Sequence, residues 1–180
     1  MNEFVFNVND KNVVENICGC LSSVLQGEVP VIVCIGTDLS IGDSLGPLTG
    51  TMLTEKDVNT FVYGKFNSLI TAKRVIEMKG FIDSAHKYTK TLVIDAAIGK
   101  KEDIGNIKIS VAPLKPGLGA RKNLPSIGDI SIIGVVAEKS GANYSFLNLT
   151  RLSPIYKMSK ILSTAIEKYV KTSGAERNAV

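Results

Sequence analysis

Val29-Pro-Val-Ile-Val-Cys-Ile35 and Thr91-Leu-Val-Ile-Asp95 decide the fold of this chain. Both runs are too short for a buried helix and are rich in β-branched residues. That is the pattern of parallel strands covered on both faces. Ile130-Ser-Ile-Ile-Gly-Val-Val136 repeats it further along. Helical patterns stand between and around these strands, so the chain reads as α/β, a three-layer αβα sandwich with a mainly parallel sheet.

Working outward, Asp10 to Leu25 places Val13, Val14, Ile17, Leu21, Val24 and Leu25 at helical spacings. Asp10 is the expected N-cap and Gly27 the stop. A helix is expected from Ser44, where Pro47 is tolerated because first-turn amides lack intrahelical partners. Ile70 to Lys87 reads as one kinked helix or two short ones, broken at Gly80. Ser153 to Val170 reads as a closing helix, capped by Ser153 with Pro154 at its first position. Phe61–Tyr63, Ile107–Ala112 and Tyr144–Leu149 are weaker strand candidates, the second an edge or half-exposed one. The stretch 113–129, dense in Pro and Gly, is expected to be an irregular loop, functional or mobile. One domain over 1–172 and a disordered tail over 173–180 complete the expectation.

With 180 residues, 44% hydrophobic and 21% charged, the chain has the makeup of one packed domain. Aromatics at 6% leave Val, Ile, Leu and Ala to build the core. The net charge of +4 is mild and spread out, and no basic cluster with interleaved aromatics marks a nucleic-acid partner. No apolar run is long enough to span a membrane. The first ten residues lack the basic-then-apolar order of a signal peptide. Cys18, Cys20 and Cys34 form neither a disulfide framework nor a C-x-x-C site, so they read as reduced thiols of a cytoplasmic protein.

In open parallel sheets, sites form beyond the carboxyl ends of the strands. Two acids fall there. Asp43 follows the first strand at the mouth of a helix, and Asp95 ends the second, followed by the small Ala96 and Ala97. Each has a plainer explanation: Asp43 as a helix cap, Asp95 as an acceptor for loop amides. No dinucleotide fingerprint, phosphate loop or nucleophile elbow is present, so no cofactor is expected. His86 is the single histidine and reads as a surface residue, which leaves a Ser/His or Cys/His triad and a three-ligand zinc site short of donors.

Val33-Cys-Ile-Gly36 followed by Asp43-Ser-Leu-Gly-Pro47 resembles the spore germination protease family. So does Val93-Ile-Asp95-Ala96, and so does Pro116-Gly-Leu-Gly119 with Arg121-Lys122 behind it. The match runs from about residue 30 to residue 137 and is nearest to the short YyaC-type sporulation proteins. The hydrogenase maturation endopeptidases share the topology (phosphorylase/hydrolase-like), and there two acids and a histidine bind nickel. No histidine stands near Pro116–Gly119, which favours a metal-free pair of aspartates.

The resemblance implies an endopeptidase with Asp43 and Asp95 catalytic and Gly36, Gly117, Gly119 and Arg121 contacting substrate. Small acid-soluble spore proteins would be its substrates in a sporulating cell or forespore, and a homo-oligomer is left open. Two close carboxylates share a proton, and Asp95, off the apolar strand, is the expected acid. Arg121 and Lys122 either steer an acidic peptide or are solvated loop charges. Two other readings stay open: a binding or regulatory protein of the same fold without turnover, and a hydrolase holding a metal on Asp43, Asp95 and Asp38.

Overall fold

The computed structural model of the chain describes residues 3–116, 124–139 and 150–177. Its strands are β1 (Glu3–Asn7), β2 (Val31–Cys34), β3 (Val62–Tyr63), β4 (Thr91–Gly99), β5 (Asn106–Ser110) and β6 (Ile130–Glu138). The helices are α1 (Val13–Leu25), α2 (Leu45–Glu55), α3 (Val75–Ala85) and α4 (Leu152–Arg177). Together the strands form one six-stranded sheet in the order β1-β5-β6-β4-β2-β3. Pairings β2–β3, β2–β4 and β4–β6 are parallel, while β5–β6 and β1–β5 are antiparallel.

Alternation along the strands divides the core into two layers. Ile32 and Cys34 of β2, Leu92 and Ile94 of β4, and Ile130 and Ile132 of β6 face α1, α2 and α4. Val31, Val33 and Val93 face the other way, toward Val75 and Ile82 of α3 and toward Leu114 and Ile127. All four residues of β2 are buried, as a strand covered on both faces requires. Each such side chain contributes about 1.5–3 kcal/mol by leaving water. This is the three-layer αβα sandwich expected from the sequence.

The departures have physical causes. β1 is an edge strand that covers β5, so β5 is interior to the sheet and its alternation reflects the sheet's two faces. Asp10 does not cap α1 with its side chain; its carboxylate accepts the Asn7 amide at 2.9 Å, and Asn12 holds the cap position. Gln26 and Gly27, both at positive φ, end that helix. Of the two readings around Gly80, one helix or two short ones, the structure has one, α3 (Val75–Ala85), which runs through Gly80 without a break. α4 starts at Leu152, before Ser153, and continues past Thr172 and Gly174 to Arg177, where a disordered tail was expected. The strand expected over Tyr144–Leu149 lies outside the described residues.

Three glycines let the layers close. A side chain at Gly134 of β6 would collide with Leu45 of α2 and Met158 of α4. One at Gly46 would overlap the backbone of Ile35, and one at Gly36 the carbonyl of Asp43. The start of α2 is thereby pressed onto the carboxyl end of β2.

Candidate active site

β4 is longer than its neighbour β2. The last pair joining them is Cys34 with Ile94, closed by the Ile35 amide on the Ile94 carbonyl at 2.8 Å. Beyond this point β2 turns away, whereas β4 runs on against β6 as far as Gly99 and Glu138. Asp95 is the first residue past the fork. It was expected to end a strand; it sits within one, paired with Ile133, because the β6 side of the ladder continues after the β2 side has stopped. By alternation it shares the α3 face with Val93.

The chain leaving β2 forms a closed loop. Gly36, at φ +144, donates its amide to Ile70 at 3.0 Å, and the Thr37 amide donates to the Asp43 carbonyl at 3.1 Å. Inside the loop Leu39 donates to the Thr37 hydroxyl at 3.2 Å, and Asp43 donates its amide to the Ser40 carbonyl at 3.1 Å. Asp43 then lies in a 3₁₀ turn, Gly42–Ser44, that leads directly into α2. Ser44, not Asp43, occupies the cap position of α2. Asp43 is half-buried at the positive end of this helical segment, where an anion is favoured.

The fork and the loop bring the two acids together. Burial pushes the Asp95 carboxyl well above the ordinary carboxylate range, and the nearby Asp43 charge pushes it further. Only the Ala96 amide, donating to Asp95 Oδ1 at 2.9 Å, opposes the rise. Two carboxyl groups held in this way do not both ionise cheaply.

The other expected site residues divide. At Gly36, the close approach serves the Asp43 carbonyl, and the amide is committed to Ile70. Gly117, Gly119, Arg121 and Lys122 lie outside the described residues. Their segment springs from a two-way bridge between Leu114 and Ile127, both bonds 2.9 Å, packed on the α3 face that also carries Asp95. Asp38 is exposed, and among the described residues no three His, Cys, Asp or Glu side chains gather to hold a metal ion.

His86 is not the lone surface residue expected. It is half-buried at the end of α3, with Nε2 2.9 Å from the Tyr63 hydroxyl and its ring against Phe61 and Phe81. This cluster borders a cleft of about 690 Å³ lined by Val29, Asp57, Thr60 and Phe61, at the amino ends of the strands and away from the acids. Cys34 is fully buried and Cys20 buried, the latter's thiol pushed up to about 11, so neither is a nucleophile. Among the described residues no helix is long and apolar enough to cross a membrane.

Fold and site define a class: α/β proteins with two aspartates converging where parallel strands end. The chain belongs to the family described as "Protein of unknown function (DUF1256)", whose model matches residues 5–165. It is 39% identical over 153 residues to the uncharacterized protein YyaC of Bacillus subtilis (strain 168), covering 81% of this chain and 73% of that one. Among solved structures it overlaps the [NiFe] hydrogenase maturation protease HycI of Thermococcus kodakarensis KOD1. There the identity is 17% and the TM-score 0.47, over 84% of this chain and 99% of that one.

Proposed function

We propose that the chain is a peptidase that activates water with a pair of aspartates, acting on small spore proteins. The observation that carries this reading is the Asp43–Asp95 pair, with the Asp95 carboxyl raised by burial and by its neighbour's charge. A protonated carboxyl beside an ionised one supplies an acid and a base at a single pH. The motif resemblance to the germination protease supplies the substrate class.

Hydrolysis then proceeds in two steps. Asp43, carrying the pair's negative charge, takes a proton from water as the water oxygen bonds to the scissile carbonyl carbon. Asp95 gives its proton to the carbonyl oxygen, which leaves a neutral tetrahedral diol. In the second step the proton on Asp43 passes to the amide nitrogen, Asp95 recovers a proton from the diol, and the C–N bond breaks. Acid and amine leave with the pair back in its starting state.

The test is peptide release from small acid-soluble spore proteins, comparing the native chain with Asp43→Asn/Asp95→Asn, with and without chelator. Cleavage by the native chain alone, indifferent to chelator, is the expected result. No cleavage by the folded native chain removes the peptidase reading and leaves a binding or regulatory protein. Loss of cleavage with chelator replaces the mechanism with a metal-dependent one.

A further inference from the structure

The fork beyond Ile94 leaves a strand edge inside the sheet. Thr91 to Ile94 are buried between β2 and β6, whereas Asp95 to Gly99 are all half-buried. The change falls where β2 turns away. Backbone alternation shows which groups β2 abandons. The Lys90 and Ile94 carbonyls accept from Val31 at 2.9 Å and from Ile35 at 2.8 Å, both on the β2 side. The Thr91 carbonyl accepts from Asp129 at 2.9 Å and the Gly99 carbonyl from Lys139 at 2.7 Å, both on the β6 side. Even-numbered residues of β4 therefore aim their amides and carbonyls toward β2, and odd-numbered ones toward β6. Past the fork the even-numbered residues are Ala96 and Ile98. The Ala96 amide is taken by Asp95 Oδ1 at 2.9 Å. Among the described residues nothing bonds to the Ala96 carbonyl or to either backbone group of Ile98.

Backbone donors and acceptors left in this way are satisfied by a further extended chain. The surroundings decide which chain fits. β2 and β3 continue the sheet on this side, so a second folded sheet has no room beside β4, while a single strand does. The 3₁₀ turn that carries Asp43 packs against β4, and Asp95 is the first residue of the open stretch. Neighbouring strands lie about 4.8 Å apart. A chain bonded to Ala96 and Ile98 thus runs directly past the two acids. Ala97 stands beside Asp95 on the α3 face by alternation and places only a methyl there.

We propose that the substrate binds as an added strand on β4, its backbone bonding to the Ala96 carbonyl and to the Ile98 amide and carbonyl. This rests on the two-aspartate peptidase reading and names the form of its substrate: an extended, unfolded segment recognised through its main chain. Proline is excluded wherever the segment must donate an amide to β4.

Amide hydrogen exchange, followed by NMR on the Asp43→Asn/Asp95→Asn chain with and without saturating small acid-soluble spore protein, tests this beside cleavage by the native chain. In the free chain the Ile98 amide is expected to exchange about tenfold or more faster than that of Ala97, which faces β6. Spore protein is expected to slow Ile98 by about tenfold or more and to leave Ala97 little changed. Peptides spanning the cleavage site, N-methylated at one amide at a time, are expected to lose about tenfold in kcat/KM at alternate positions only. Slow exchange of Ile98 in the free chain overturns the inference, because a segment of the chain itself then covers the edge. Cleavage by the native chain overturns it too, and leaves the peptidase reading intact, if spore protein does not change Ile98 or if N-methylation costs the same at successive positions. Protection of Ile98 without cleavage upholds the added strand and removes the peptidase reading. Neither protection nor cleavage removes both.

Discussion

Asp43 lies close enough to Asp95 for its charge to be the second largest influence on the Asp95 carboxyl, after burial itself. The order of the two causes makes a prediction. In Asp43→Asn the charge is gone but the burial stays, so the Asp95 titration should move down and still lie above the ordinary carboxylate range. Carboxyl carbon shifts followed by NMR across pH 3 to 9 read this directly. An Asp95 that titrates normally in the native chain would contradict the described geometry.

The same shift fixes a pH dependence of stability. An unfolded chain ionises Asp95 near its ordinary value of 3.8. Between that pH and the raised folded value the native state holds a proton that the unfolded state has lost. Stability therefore falls as pH climbs through the window, levels off above it, and is untouched by this group below pH 3.8. Asp95→Asn keeps a neutral group of the same shape. It should gain on the native chain steadily as pH rises through that window, in urea unfolding at pH 4, 5.5, 7 and 8. An equal offset at every pH would mean that Asp95 is not held protonated.

Much of this was legible in the residues. Val31 to Cys34 and Leu92 to Ile94 are buried on both sides, and hydrophobicity without alternation is a signal that short buried strands always give. Asp43 and Asp95 stood out because polar residues at the ends of such runs mark a change of environment. Edge pairing was less visible: Glu3–Asn7 has half-exposed and exposed positions throughout, and only its partner β5 makes it a strand. The extent of β4 past Asp95 was hidden for a related reason, since Ala96 to Gly99 carry weak local preferences and the pairing with β6 decides. His86 was misjudged because nothing in the sequence places Tyr63 and Phe61 beside it.

Tyr169, 1% exposed in the middle of α4, donates its hydroxyl to the Glu28 carbonyl at 2.7 Å and ties that helix to the entry of β2. Tyr169→Phe keeps the ring in the core and removes the bond. The expected loss is about 1 kcal/mol, a net hydrogen bond to a neutral acceptor. For a chain of this size that is a fall of about 2–4 °C in Tm, with the urea m value unchanged. A smaller fall would mean that water replaces the hydroxyl at Glu28.

Gly46 and Gly80 both lie inside helices, and helix propensity alone favours alanine over glycine at each by about 1 kcal/mol. Their surroundings oppose one another. An alanine methyl at Gly80 meets nothing within 4 Å, whereas one at Gly46 would overlap the carbonyl oxygen and amide nitrogen of Ile35. Those atoms belong to backbone that is itself bonded to Ile94, so they do not yield as a side chain would. Gly80→Ala should therefore stabilise by about 1 kcal/mol, or about 2–4 °C. Gly46→Ala should lose its propensity gain and at least about 2 kcal/mol more, through overpacking. Because Gly46 fixes the turn that carries Asp43, any folded Gly46→Ala chain should also show Asp95 titrating lower, as the two acids part. Melting curves with the carboxyl titration separate the two effects: a destabilised chain with an unchanged Asp95 would show that Gly46 serves packing alone.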